Sequence, residues 1–492
     1  MKGITLGMAS ALLVTLLVTG GFAGIAAADE PSDPMDRIRL ELGTTTEFGS
    51  GSYVAVNCTE GYNLAWFGVI YGTEGNPAPI SIVGMNLRYL GGAEVVGPDG
   101  NVIVNEFPIP VITVFGQQMF ALLEFDDTGI PTFFGDTYGA GNGLFDFSTN
   151  KRMFEDDPFA KYEPAYKYID LKQAWTLSDI EQGIDYETQT KSYDFSLYAL
   201  NVTYTKVWDM ALMDYRNGTP EDGVLERVEF AFHITASAER VDVSVPFYRV
   251  TLDNGRITDS ESIAPRNYTA VSTETAFKYD HIIEGWDFYE NAKDPRLMLE
   301  NGLIYAVFIP DKVEEWYNAQ FVHDGVEDGQ GVMEYSTLDG EKTAADADEL
   351  PSEATLITKD RIQFKDNWQK TGALTWVSNV TVDGQENRSM VFQIHAGQRT
   401  LERGENDDGE VKALFVLGGF IYPAGQTIFH DPALEMGAMA LEIDPEMGGM
   451  IVLGIIGAIF VIGIVVVAVV VLRHSQKKKG NMRNQVPPPY RP

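Results

Sequence analysis

The stretch Tyr279-Asp280-His281-Ile282-Ile283-Glu284-Gly285-Trp286-Asp287-Phe288-Tyr289-Glu290 interleaves aromatic side chains with carboxylates. That mixture suits a carbohydrate: an aromatic face stacks on the apolar face of a sugar, and carboxylates accept its hydroxyl hydrogen bonds. Drawn out as a strand, it puts Asp280, Glu284, Trp286 and Glu290 on one face and His281, Asp287 and Tyr289 on the other. A glycoside hydrolase needs two carboxyl groups about 5 to 10 Å apart. Glu284 and Asp287 are the catalytic candidates on that reading. A solvated edge strand is the alternative, because 71 acidic residues make accidental pairs common. Val313-Glu314-Glu315-Trp316-Tyr317 repeats the chemistry on a smaller scale.

A second group has oxygen donors and glycine turns, the ingredients of a Ca²⁺ loop. Asp126, Asp127, Asp136, Asn142 and Asp146 are the metal candidates, without the spacing of an EF-hand; Glu405-Asn406-Asp407-Asp408-Gly409 is similar. Ca²⁺ is the one cofactor these residues suggest. His233, His281, His323, His395 and His430 are not spaced as a zinc pair, and Cys58 is the only cysteine, so cysteine-based zinc sites are excluded. Cys58 reads as a buried free thiol. No G-x-S-x-G elbow and no phosphate-cradling loop occurs. Asn-x-Ser/Thr sequons stand at Asn57, Asn201, Asn217, Asn267, Asn379 and Asn387, with Pro220 following the third closely. They are glycosylation candidates.

These residues sit in a chain patterned for strands. Val228, Phe230, Phe232 and Ile234 alternate with polar neighbours, as do Val241, Val243, Val245 and Phe247. Two such runs predict an antiparallel pair with a short turn between them. Asp253-Asn254-Gly255 supplies the next turn. Leu374, Trp376, Val380 and Val382 predict one buried side, with Asn379 on the polar side, a turn at Asp383-Gly384, and Met390, Phe392 and Ile394 returning. Residues 53–56, 64–71, 80–90, 102–115 and 119–125 also read as strands, with a turn at Pro98-Asp99-Gly100. Short helices are expected at 166–181 and 310–320.

The two ends set the topology. Lys2, an apolar run and Ala26-Ala27-Ala28 have the order of a secretory signal peptide cleaved after Ala28. Residues 450–472 hold no charged side chain; at about 1.5 Å per residue they cover about 34 Å, enough for a hydrocarbon core of about 30 Å. Arg473, His474, Lys477, Lys478 and Lys479 follow and place the tail in the cytoplasm. Gly454 and Ala458 form a small-xxx-small pair suited to self-association of the helix. The tail ends in Pro487-Pro488-Pro489-Tyr490, which resembles the PPxY ligand of WW domains.

Between the ends lie 29 basic and 71 acidic residues, a formal charge of −42. Such a charge excludes nucleic acid and anionic lipid surfaces as partners. The expected organisation is a signal peptide (1–28), an N-terminal β domain (29–160), a second β domain (161–446) with an acidic loop at 325–353, the membrane helix (450–472) and the basic, Pro-rich tail (473–492). The expected fold class is all-β, a mainly antiparallel β-sandwich-type ectodomain with few short helices plus one transmembrane helix. The function this implies is a cell-surface protein in envelope structure, adhesion or ligand binding, with a surface glycan or envelope protein as partner. The alternatives are a membrane-anchored glycoside hydrolase or polysaccharide-binding protein, and an envelope assembly subunit that depends on divalent cations.

Overall fold

A computed structural model gives the architecture. It describes residues 34–45, 51–60, 63–127, 165–209, 211–212, 214–253, 256–309, 332–337, 340–344, 356–358, 360–365, 370–399 and 410–441. The protein is nearly all β, and among the described residues the pairing is antiparallel except at one place. Among the described residues the helical turns are short, Pro34–Arg37 and Pro220–Asp222. No helix among the described residues is long and apolar enough to cross a membrane. The expected signal peptide and the 450–472 helix lie outside the described residues.

The described strands join in one hydrogen-bonded network. Ile38–Thr45, Gly51–Glu60, Asn63–Gly72, Ser81–Val96 and Val102–Asp126 pair in chain order as a meander. The last of these also pairs with Ala165–Asp170 and Pro295–Ile309, which in turn pairs with Glu410–Pro423. Strands on the two sides of the expected boundary between 160 and 161 are thus hydrogen-bonded to each other. Their apolar side chains share one core, from Met35 and Val54 to Phe420 and Leu434. A smaller cluster, Leu123, Phe125, Met298 and Ile421, lies apart from it. These residues alternate along their strands with Leu122, Leu297, Leu299, Phe420 and Tyr422 of the main core, so the sheet is buried on both faces here.

The longest element differs from its expected form. The two runs at 228–234 and 241–247 do not pair with each other. They lie in one strand, Val224–Asp253, whose ladder with Arg256–Glu284 passes unbroken through Thr235↔Ala276 to Val245↔Arg266. The reversal comes where Asp253 pairs with Arg256, at the expected turn. Likewise 102–115 and 119–125 are one strand, Val102–Asp126. These two long hairpins meet in the one parallel pairing, Phe247↔Gly92 to Thr251↔Val96. The Phe247 ring lies where a Cβ on residue 92 would stand, which is why glycine is needed there. The Arg266 guanidinium lies over that ring at 4.1 Å, and Arg249 reaches Glu94 and Glu261 at 2.7 Å each.

Two further expectations are corrected. Residues 166–181 are not helical: Ala165–Asp170, Thr176–Leu177 and Glu181–Asp185 are strands. Tyr166, Ile169, Leu171 and Trp175 are buried and imitate helical spacing. The chain crosses other strands instead: Leu171 N–H donates to Phe120 O and Trp175 Nε1–H to Ala78 O. The acidic stretch 325–353 is not wholly a loop either, since Val332–Thr337 and Gly340–Ala344 pair as a hairpin. The helix expected at 310–320 lies outside the described residues. The second hairpin conforms in its turn and its burial but not in its pairing: Asn379–Val382 pairs across the turn with Gln385–Ser389, whereas Val391–Arg399, which carries Phe392 and Ile394, pairs with Leu356–Thr358 and Glu410–Pro423. Leu374, Trp376, Val380, Val382, Met390, Phe392 and Ile394 are all buried and Asn379 is exposed. Asp383 (φ 51°) and Gly384 (φ 74°) make a two-residue turn with both central residues at positive φ.

Candidate functional site

The aromatic and acidic segment at 279–290 meets the acidic end of Val102–Asp126. Tyr279, His281 and Ile283 point into the core from the last turns of the Arg256–Glu284 strand, which ends at Glu284. Gly285, at φ 75°, then redirects the chain, and Trp286 turns inward as well. The face division expected for an extended segment is therefore wrong: His281 and Trp286 are both buried. Trp286 packs edge-on against Tyr204 at 5.1 Å and Tyr289 stacks on Tyr166 at 4.4 Å.

Residues 285–294 form a strap, and carboxylates tie it down. Glu124, fully buried, accepts hydrogen bonds from Trp286 Nε1–H (3.0 Å) and Tyr289 N–H (2.7 Å). Asp126 accepts from Lys293 N–H (2.9 Å) and Asp294 N–H (3.2 Å), and Asp127 N–H donates to Asp294 O (3.0 Å). From the other side Lys167 donates to both the backbone carbonyl and the carboxylate of Asp287, while Asp287 N–H donates to Tyr204 Oη at 3.0 Å. The Lys167 ammonium also lies 4.8 Å from the centre of the Tyr204 ring. Burial pushes the Glu124 carboxyl up to about 7, against the opposing pull of the Tyr289 and Trp286 donors and of Lys167. A carboxyl near 7 matches a general acid in acidity. Glu124 is nevertheless enclosed, and both its oxygens are taken by the strap.

The two catalytic candidates have different partners. Asp287 is two-thirds exposed, with Oδ2 2.8 Å from Lys167 Nζ. Glu284 lies 3.9 Å from Arg227, which also pairs with Glu229. Trp286, the expected sugar platform, offers no outward face. Of the metal candidates, Asp126 and Asp127 are buried against the strap, while Asp136, Asn142 and Asp146 lie outside the described residues. Among the described residues no three His, Cys, Asp or Glu side chains are grouped to hold a metal ion.

Two buried polar features escaped the sequence reading. His281 and His430 are register partners on adjacent strands and share one hydroxyl. His281 Nδ1 lies 2.8 Å from Tyr422 Oη, which lies 3.2 Å from His430 Nδ1; His430 Nε2 donates to Val377 O at 3.2 Å. Burial lowers both imidazoles, His430 to about 4 and His281 well below the ordinary range, so the chain is neutral and structural. The second feature is Glu300, 4 % exposed, flanked in register by Ala121 and Gly419. Its Oε1 has no hydrogen-bond partner, and burial raises the carboxyl to about 8.

The sequons also separate by geometry. Asn201, Asn217, Asn267 and Asn379 are exposed. Asn57 is half-buried in a strand paired on both edges and donates through Nδ2 to Glu41 at 3.0 Å. Asn387 lies in the strand Gln385–Ser389. Set against known proteins, the chain matches no family and no curated protein.

Proposed function

We propose that this protein is a membrane-anchored component of the cell surface. Residues 29–446 form a sandwich-type β ectodomain outside the cell, held by the helix at 450–472, with the tail in the cytoplasm. It acts by structure and binding, as an envelope, adhesion or ligand-capture protein. The ends of the sequence support the location. One structural observation carries the preference for binding over hydrolysis: the carboxylates nearest the aromatic cluster are committed to the chain itself. Glu124 and Asp126 hold the 285–294 strap and Asp287 is paired with Lys167.

The test is protease treatment of intact cells. Trypsin releases peptides from 29–446 while the 473–492 tail stays cell-bound, and cells lacking the protein lose adhesion or envelope integrity without losing polysaccharide turnover. Ectodomain peptides that appear only after lysis would overturn the location. Loss of polysaccharide turnover in Glu284→Gln, with folding intact, would overturn the preference for binding.

A further inference from the structure

The strand Thr190–Thr203 changes phase near its end. Tyr193, Phe195, Leu197 and Ala199 are buried at odd positions, then Leu200 and Asn201 are exposed in succession, and Val202 and Tyr204 are buried at even ones. Asn201 has φ 51°. The register with Val224–Asp253 is the same on both sides of it, Leu200↔Arg227 and Val202↔Leu225, so the change of phase comes from its left-handed backbone and not from an inserted residue; asparagine is among the few residues that tolerate this backbone region. One edge of the strand stays paired up to Thr203↔Val224. Among the described residues the other is paired as far as Tyr198↔Thr176. Beyond that point this edge borders a groove of about 510 Å³, lined by Gln173 and Thr176 together with Leu200 and Asn201. Leu200 stands 55 % exposed beside it.

Asn201-Val202-Thr203 is a sequon. We propose that Asn201 carries an N-linked glycan whose first sugars lie in this groove and cover Leu200. The proposal rests on export of the ectodomain. The co-reactant is a lipid-phosphate-linked oligosaccharide. Asn201 Nδ2 bonds to the anomeric carbon, the bond from that carbon to the phosphate oxygen breaks, the lipid phosphate leaves, and one Nδ2 proton is released. The geometry separates this site from Asn57, whose Nδ2 is bound to Glu41 between two neighbouring strands. The groove has polar walls for sugar hydroxyls, and the Leu200 side chain offers an apolar shelf for a sugar ring.

The experiment uses full-length protein from its own membranes. Trypsin gives the peptide 192–206, which contains this sequon alone. The expected result is a peptide heavier by whole sugar residues, returned to its bare mass by Thr203→Ala and kept heavy by Thr203→Ser, with the Asn57 peptide bare. Loss of the glycan in Thr203→Ala should at least double the binding of an apolar dye, as Leu200 is uncovered. A bare 192–206 peptide as the main wild-type species overturns the proposal, and unchanged dye binding in Thr203→Ala overturns the groove contact. Trypsin on intact cells separates the two readings: a bare peptide released from intact cells overturns the glycan alone, whereas a protein shielded until lysis overturns export as well.

Discussion

Glu300→Gln is expected to stabilise the protein above neutral pH and to leave it nearly unchanged in acid. Glu300 is buried between Ala121 and Gly419, with Oε1 unpartnered, and its carboxyl is raised from 4.5 to about 8. At about 1.36 kcal/mol per pH unit, the ionised form is disfavoured in the folded protein by about 5 kcal/mol. That figure is a ceiling, because local relaxation and entering water soften the burial penalty. The sign follows from proton counting. Between pH 4.5 and about 8 the folded state keeps a proton that the unfolded state has lost. Stability is therefore fully present below 4.5, falls as pH rises through this window, and is flat above it. Glutamine has a similar shape and no charge to lose. Denaturant unfolding of the detergent-solubilised protein from pH 4 to 9 reads the effect. The two forms should agree within about 1 kcal/mol at pH 4, a difference ordinary for a single substitution. By pH 9 the glutamine form should lead by several kcal/mol, up to about 5. Glu124, raised to about 7, shifts stability in the same direction but is present in both proteins and cancels in the difference. Parallel stability curves across this range would refute the reasoning.

The Lys167–Asp287 pair should respond asymmetrically. Asp287→Ala removes the anionic partner of an ammonium that is only 8 % exposed and leaves it the residue 287 carbonyl and the Tyr204 ring, which should cost about 1 to 2 kcal/mol, whereas Lys167→Met leaves a carboxylate that water already reaches and should cost less; urea midpoints decide the order. Trp286→Phe removes the donor to Glu124 and leaves a buried oxygen unpaired, so a loss of about 1 to 3 kcal/mol is expected, with faster hydrogen exchange at 285–294. If Asp126 serves the strap, Asp126→Asn lowers stability by about 1 to 2 kcal/mol to the same extent in Ca²⁺ and in chelator; a loss seen only with Ca²⁺ would return Asp126 to a metal site.

Strand identity was legible wherever one face was buried. Val228, Phe230, Phe232 and Ile234 are all core residues, as alternation implies. What alternation could not distinguish was a chain reversal from a strand whose covered face changes. Apolar positions shift from even at Ile234 to odd at Val241, and a turn accounts for that as well as one continuous strand does. The observed strand continues because Ala236 and Ala238 stay buried and the far half docks on a different neighbour, the Ser81–Val96 strand. The break expected near Gln117 has a similar origin. Gln117 interrupts an apolar run yet is buried, because it accepts the Tyr279 hydroxyl at 2.5 Å from a residue 162 positions away.

The same distance hid the strap. Glu124 and Trp286 are also 162 residues apart, and each alone fits a bland description: an acid closing an apolar strand, and an aromatic beside carboxylates. Their types suggested sugar and calcium chemistry because carboxylates and aromatic rings serve ligands and folds through the same interactions. The deciding quantity is which donors the oxygens face. Two backbone N–H groups on Asp126, and an indole and a backbone N–H on Glu124, satisfy those carboxylates from within. A ligand would have to displace bonds that hold the 285–294 segment to the sheet, and the segment's fixed path around Gly285 depends on them. In a chain with 71 acidic residues, the carboxylates that matter for the fold are the few that burial has made costly to charge, and burial becomes visible only once distant strands are paired.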